Sequence, residues 1–193
     1  MDLIKEVPIK ATEAAQALIK EVLIKAMEVA QALTKPPPPS GPPRLDWRQC
    51  NRGQVPEDAV RGGKEADGRP LYIARRRLEG SLQVGKVAPH LKGCFIPYGC
   101  KEKFFEDCEV LCGDAAKLRW VEVRSRCQPK GWVPVEAGHE KDGSKLWVAR
   151  IIEGDAELVG KVGSHFKTGI VYGYGMEEKY ARDGEVYQVL ALP

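Results

Sequence analysis

Two periodicities divide the chain. Over its first 35 residues apolar side chains return every three or four positions. At 100° per residue, Leu18, Val22, Leu23, Ala26, Val29, Ala30 and Leu33 gather on one broad face, while Lys20, Glu21, Lys25, Glu28 and Gln31 crowd the other side. This predicts an amphipathic α-helix, built from the strong helix formers Ala, Leu, Lys, Glu and Gln. Pro8 sets its start at or just after that position. From about Leu45 to Pro193 the pattern alternates in short runs: "PLYIAR", "KLWVAR", "GCFIPYG", "GIVYGYG" and "EVYQVLAL". Such β-branched and aromatic runs, separated by Gly, Asp and Pro, predict strands and tight turns, with Asp-Gly the sharpest turn signal. No helix is predicted after residue 45. Between the two regions, "KPPPPSGPPR" (35–44) predicts a polyproline II spacer and a domain boundary.

Both regions repeat internally. "DGRPLYIAR" (67–75) returns 75 positions later as "DGSKLWVAR" (142–150), and the echo continues on either side. "GQVPEDAVRGGKEADG" (53–68) is answered by "GWVPVEAGHEKDG" (131–143), "EGSLQVGKVAPH" (79–90) by "EGDAELVGKVGSH" (153–165), "PYGCKEKFF" by "GYGMEEKYA", and "CEVL" by "YQVL". Matched blocks with gaps only between them mark a duplicated unit. The fold expected is mostly β, a pseudo-symmetric tandem-repeat antiparallel unit, with repeats over 45–116 and 117–193. At the front, "LIKEVPIKATEAAQA" (3–17) and "LIKEVLIKAMEVAQA" (18–32) agree at 12 of 15 positions. A fifteen-residue period favours a right-handed bundle, by the logic that makes an eleven-residue repeat right-handed. Self-association through residues 1–35 is therefore the reading preferred over packing against the body. A helix lying on a membrane would carry a Lys/Arg-rich polar face, and here five Lys balance Asp2 and four Glu.

Composition narrows the function. With 43% apolar residues the chain can build a substantial core, and a net charge of +3 gives no strong pull toward nucleic acid. Arg75-Arg76-Arg77, the densest basic run, reads as a mainly solvated edge. No uncharged apolar stretch of about 18 residues is present, and charges in "MDLIKEVPIK" leave no apolar signal core. The expectation is a cytoplasmic protein, or one secreted without a classical signal. Six cysteines at spacings unlike paired C-x2-C motifs read as buried free thiols, not as a zinc site or disulfide framework. His90, His139 and His165 have no motif placing a nucleophile beside them, and no EF-hand-like loop occurs. No catalytic residue, metal site or cofactor is expected, and the protein is read as not an enzyme.

The blocks "VPEDAV", "GGKEADGRPLYIAR", "EG", "GKV", "YGCKEKFF" and "CEVL" resemble the DM-nine repeat family, over roughly residues 47–193. The second copy resembles it too, with Trp147 for the Tyr, without the second Gly of Gly62-Gly63, and with "YQVL" at its end. The resemblance implies that the tandem pair folds as one intertwined all-β unit. It also implies a pattern-recognition protein binding mannose-containing glycans. Some relatives are called farnesoic acid O-methyltransferase-like, but no Gly-rich strand-to-helix turn is present to hold a methyl donor. By the same resemblance, mannose is held by the Asp of the DG turn and the Lys of GKV: Asp67 with Lys86, and Asp142 with Lys161. The chemistry suits a sugar, because a carboxylate accepts hydroxyl protons and an ammonium donates to ring oxygens. Glu79 and Glu153, in the EG turns, are further candidate acceptors, and Tyr72 or Trp147 could cover a sugar face. Asp before Gly also simply shapes hairpins, whereas GKV is no turn motif and recurs at the same separation of 75. The expected function is a multivalent mannose-type lectin, oligomerised by its helix. The alternatives are a membrane-docking or pore-forming protein that uses the helix, and an interaction scaffold that binds no sugar.

Overall fold

A computed structural model describes the backbone of residues 9–34 and 41–193, and the side chains of 15–27 and 41–193. Most of the proline-rich segment and the first eight residues lie outside it. The chain forms two compact units, residues 1–40 and 41–193.

In the first unit the described residues form a helix, α1 (Ile9–Thr34). Its 26 residues extend about 39 Å at 1.5 Å per residue. Every described side chain on it is exposed, among them Leu18, Val22, Leu23 and Met27. A Lys25–Glu21 pair at 3.4 Å links successive turns. No helix among the described residues is long and apolar enough to cross a membrane.

The second unit is built of antiparallel strands with two short 3-10 turns, Pro89–Leu91 and Ala115–Lys117, and its strands fall into two equivalent sets of seven. The first set is β1 (Leu45–Asn51), β2 (Arg61–Lys64), β3 (Pro70–Leu78), β4 (Ser81–Ala88), β5 (Gly93–Pro97), β6 (Glu102–Phe105) and β7 (Asp107–Gly113). The second is β8 (Arg119–Arg124), β9 (Glu136–His139), β10 (Lys145–Glu153), β11 (Ala156–Val162), β12 (Val171–Tyr174), β13 (Glu177–Tyr180) and β14 (Val186–Ala191). Within the first set, hydrogen bonding runs β1-β7-β3-β4-β5-β6, and within the second β8-β14-β10-β11-β12-β13. The registers correspond: Ile73 faces Lys86 as Val148 faces Lys161, and Ala74 faces Val110 as Ala149 faces Val189.

The short strands β2 and β9 intertwine the sets. Each pairs with its own repeat on one side and reaches the other repeat on its opposite side, Lys64 against Glu157 and His139 against Leu82. Glycine makes the approach possible. A methyl group on Gly63 would lie 1.9 Å from the carbonyl oxygen of Glu157, and one on Gly138 2.0 Å from that of Leu82. Gly138 therefore stands where Gly63 stands, and Ala137 replaces Gly62. The second copy has lost the first glycine of the pair, not the second.

The larger core draws on both repeats, with Leu71, Ile73, Val84, Leu146, Val148, Leu158 and Tyr187 fully enclosed. A smaller one lies within the first repeat around Cys50, Cys94, Ile96, Cys108 and Val110. Tyr72 packs against the smaller core and Trp147 against the larger. The arginine run is not mainly solvated. Arg75 lies 4.1 Å over the Trp47 ring and pairs with Glu109 at 2.8 Å, and Arg76 lies over Phe105 and pairs with Asp107. Only Arg77 faces solvent. Arg150 repeats the first arrangement, over Trp120 and paired with Glu157.

Candidate functional site

The two GKV segments place one buried lysine each at the seam between repeats. The glycine before each lysine lets the next strand lie close: a methyl on Gly85 would sit 2.1 Å from Phe95 O, and one on Gly160 2.3 Å from Val171 O. Each lysine crosses to the other repeat. Lys86 Nζ donates to Gly173 O at 2.9 Å and lies 2.8 Å from Glu102 Oε1, a charge contact and not a well-directed hydrogen bond. Lys161 Nζ donates to Pro97 O at 2.7 Å and to Gln83 Oε1, with Glu178 Oε1 3.6 Å away. At 5% and 3% exposure, both ammonium groups depend on these partners, because an unpaired buried charge is costly. Burial pulls the pKa of Lys161 down, against the opposing pull of Glu178 and Glu140.

Around Lys161 the seam opens into a cleft of about 300 Å³. Tyr98 and Gly99 of the first repeat form one wall, and Phe166, Thr168 and Tyr180 of the second form the other. Glu140 and Glu178 flank the lysine. Glu178 Oε2 accepts from Cys100 N at 2.7 Å and Tyr180 OH at 3.0 Å. Partial burial of the Tyr180 hydroxyl, and Glu178 beside it, push that phenol up to about 12, so it stays a donor at neutral pH. Glu140 Oε2 accepts from Gln83 Nε2 at 2.8 Å. The cleft thus holds two carboxylates with lone pairs to spare, Glu178 facing the ammonium and Glu140 linked to it through Gln83, bordered by aromatic rings. That set accepts hydroxyl protons and covers C–H surface.

Residues 38–105 and 92–181 each match the DM9 repeat. The chain belongs to the DM9 repeat family. No curated protein matches this DM9 chain. Among solved structures it is similar to the nematode sperm cell motility protein MFP2B, with a TM-score of 0.55 and 15% identity over 83% of this chain and 50% of that one. The DM9 chain spans about half of that protein's length, and at this identity the likeness concerns the fold.

Against this geometry the residues singled out in the sequence separate into groups. Lys161 is in the cleft, and Lys86 occupies the equivalent point of the other seam. Asp67 and Asp142 do not share partners with the lysines. Asp67 accepts from Arg69 N at 3.0 Å and Arg69 Nε at 2.6 Å, and Asp142 accepts from Ser144 N at 2.9 Å. These backbone bonds hold both carboxyls below their ordinary pKa. Both are exposed turn residues bonded to their own loops. Glu79 accepts from Tyr98 OH at 3.1 Å and so steadies a cleft wall. Glu153 accepts from Tyr172 OH at 2.9 Å and lies 3.8 Å from Lys179.

Glu140 and Glu178 were legible but are not the acids the DG turn draws attention to. Glu140 follows Glu65 by the same 75 positions, and Glu178 matches Glu102 in the aligned "YG" blocks. Gln83 has no such signal, because its counterpart is Leu158. Among the described residues, no group of three or more His, Cys, Asp or Glu is arranged to hold a metal ion.

Proposed function

We propose that this DM9 protein is a lectin that holds mannose-type glycans in the Lys161 cleft, with Glu140 and Glu178 accepting sugar hydroxyls and Tyr98 and Tyr180 bordering the ring. The observation carrying this reading is the pair of carboxylates tied to one buried lysine, Glu178 by charge and Glu140 through Gln83. Charged acceptors fixed in advance suit a hydroxyl-rich, uncharged ligand, because no ordering cost remains at binding. Lys161 spends two of its three N–H donors on Gln83 and Pro97 and faces Glu178 with the third, so its part is to position the acids.

Multivalency belongs to the same proposal. One monosaccharide site binds weakly, and linking several raises avidity by orders of magnitude without a new contact. The exposed apolar stripe of α1 joins copies of the chain, and balanced charge over residues 1–35 adds no repulsion between them.

A glycan array on full-length protein tests both parts. Wild type is expected to bind mannose-terminated glycans and lose them to free mannose, and Glu140→Gln to bind at least about tenfold less, the scale of one charge-assisted hydrogen bond. Leu18→Glu with Val22→Glu is expected to abolish agglutination while leaving affinity per chain unchanged. A folded wild type that ignores mannose-bearing glycans contradicts the reading.

A further inference from the structure

The two lysine nodes occupy equivalent places, yet their surroundings differ at one decisive position. Gln83, fully buried in the first repeat, reaches into the second repeat's site and uses both ends of its amide there. Its oxygen accepts from Lys161 Nζ and its nitrogen donates to Glu140 Oε2. The residue equivalent to Gln83 is Leu158, also fully buried, which has no polar atom to offer. Glu65, the counterpart of Glu140, accordingly turns to the His90 ring at 3.7 Å instead of toward a lysine.

The carboxylate positions differ as well. Glu102 lies against Lys86 at 2.8 Å and packs so tightly on Gly173 that a methyl on that glycine would lie 2.4 Å from Glu102 Oε1. Met176 N donates to its other oxygen at 3.2 Å. At the second node Glu178 stands off at 3.6 Å, and a proline replaces the glycine as the residue whose carbonyl accepts from the lysine. The first node is thus filled by its own glutamate.

Resting on the lectin reading above, we infer that the two repeats form one ligand site per chain, not two: the Lys161 cleft binds, the Lys86 node is a structural clasp, and Gln83 is the positioning residue that makes the difference. The site is then a composite of both repeats, and neither repeat carries it alone.

The test uses full-length protein and mannotriose. Calorimetric titration is expected to give one ligand per chain. Hydrogen exchange is expected to slow on ligand addition at His165–Thr168 and not at the equivalent His90–Lys92. Gln83→Leu, which copies the first node's chemistry into the second, is expected to bind at least tenfold more weakly with ligand-free exchange unchanged, a pattern that general loosening does not produce. Two ligands per chain, equal protection of both loops, or a Gln83→Leu variant that binds like wild type overturns the inference while leaving the lectin reading intact. If Gln83→Leu does not fold, stoichiometry and loop protection of wild type decide. No binding by wild type removes the lectin reading and this inference together.

Discussion

At the scale of single residues, burial governs the thiols. Burial pushes Cys50 and Cys127 each up to about 11 and raises Cys112, while Cys108 is raised first by its hydrogen bond to Cys94 and next by burial. All five of Cys50, Cys94, Cys108, Cys112 and Cys127 are buried, and only Cys100 is exposed. Because the thiolate is the nucleophile, a thiol reagent is expected to modify one cysteine per native chain and six in denaturant. Two or more reacting rapidly in the native protein contradicts this packing. The DG aspartates contribute differently. Their folded pKa lies below the unfolded value, so their contribution to stability is present at neutral pH. It is lost as pH falls through the ordinary carboxylate range to the depressed value. The recurrence of GKV made Lys86 and Lys161 visible in the sequence. It could not reveal Gln83, since a repeat argument finds what two copies share and this site depends on where they differ.

Among elements, the exchange of β2 and β9 between repeats is the contact most sensitive to volume. Gly138→Ala sets a methyl into the Leu82 carbonyl and must move one backbone off the other. A loss of about 1–3 kcal/mol is expected. Because both strand sets share the larger core, scanning calorimetry should show one transition at lower temperature. Two separate transitions in wild type would show that the repeats are not one cooperative unit. The long strands β3, β4, β10 and β11 were plain from alternation and the DG and EG turns. β2 and β9 were not: "RGGK" and "EAGH" have no alternating pattern, and their pairing is set by glycine's lack of a side chain. β1 and β8 were also obscure, since "LDWRQCN" and "RWVEVR" interleave Trp with Arg, and the Trp47 and Trp120 rings meet the guanidiniums of Arg75 and Arg150 only in the folded sheet.

For the molecule as a whole, duplication explains both the symmetry of the two strand sets and its failure at the seam. Two copies supply equivalent strands and two lysine nodes, and divergence at Gln83/Leu158 and Pro97/Gly173 leaves one node open beside a cleft. The helix and the β unit form two compact units of the chain. The lectin proposal stands on the Lys161 cleft as the place where the sugar sits. The most direct measurement is a crystal structure of the full chain with mannobiose at saturating concentration. One sugar per chain is expected, its hydroxyls within hydrogen-bond distance of Glu140 and Glu178 between Tyr98 and Tyr180. A sugar seated on the Asp67 or Asp142 turns, or an empty cleft at saturation, contradicts it.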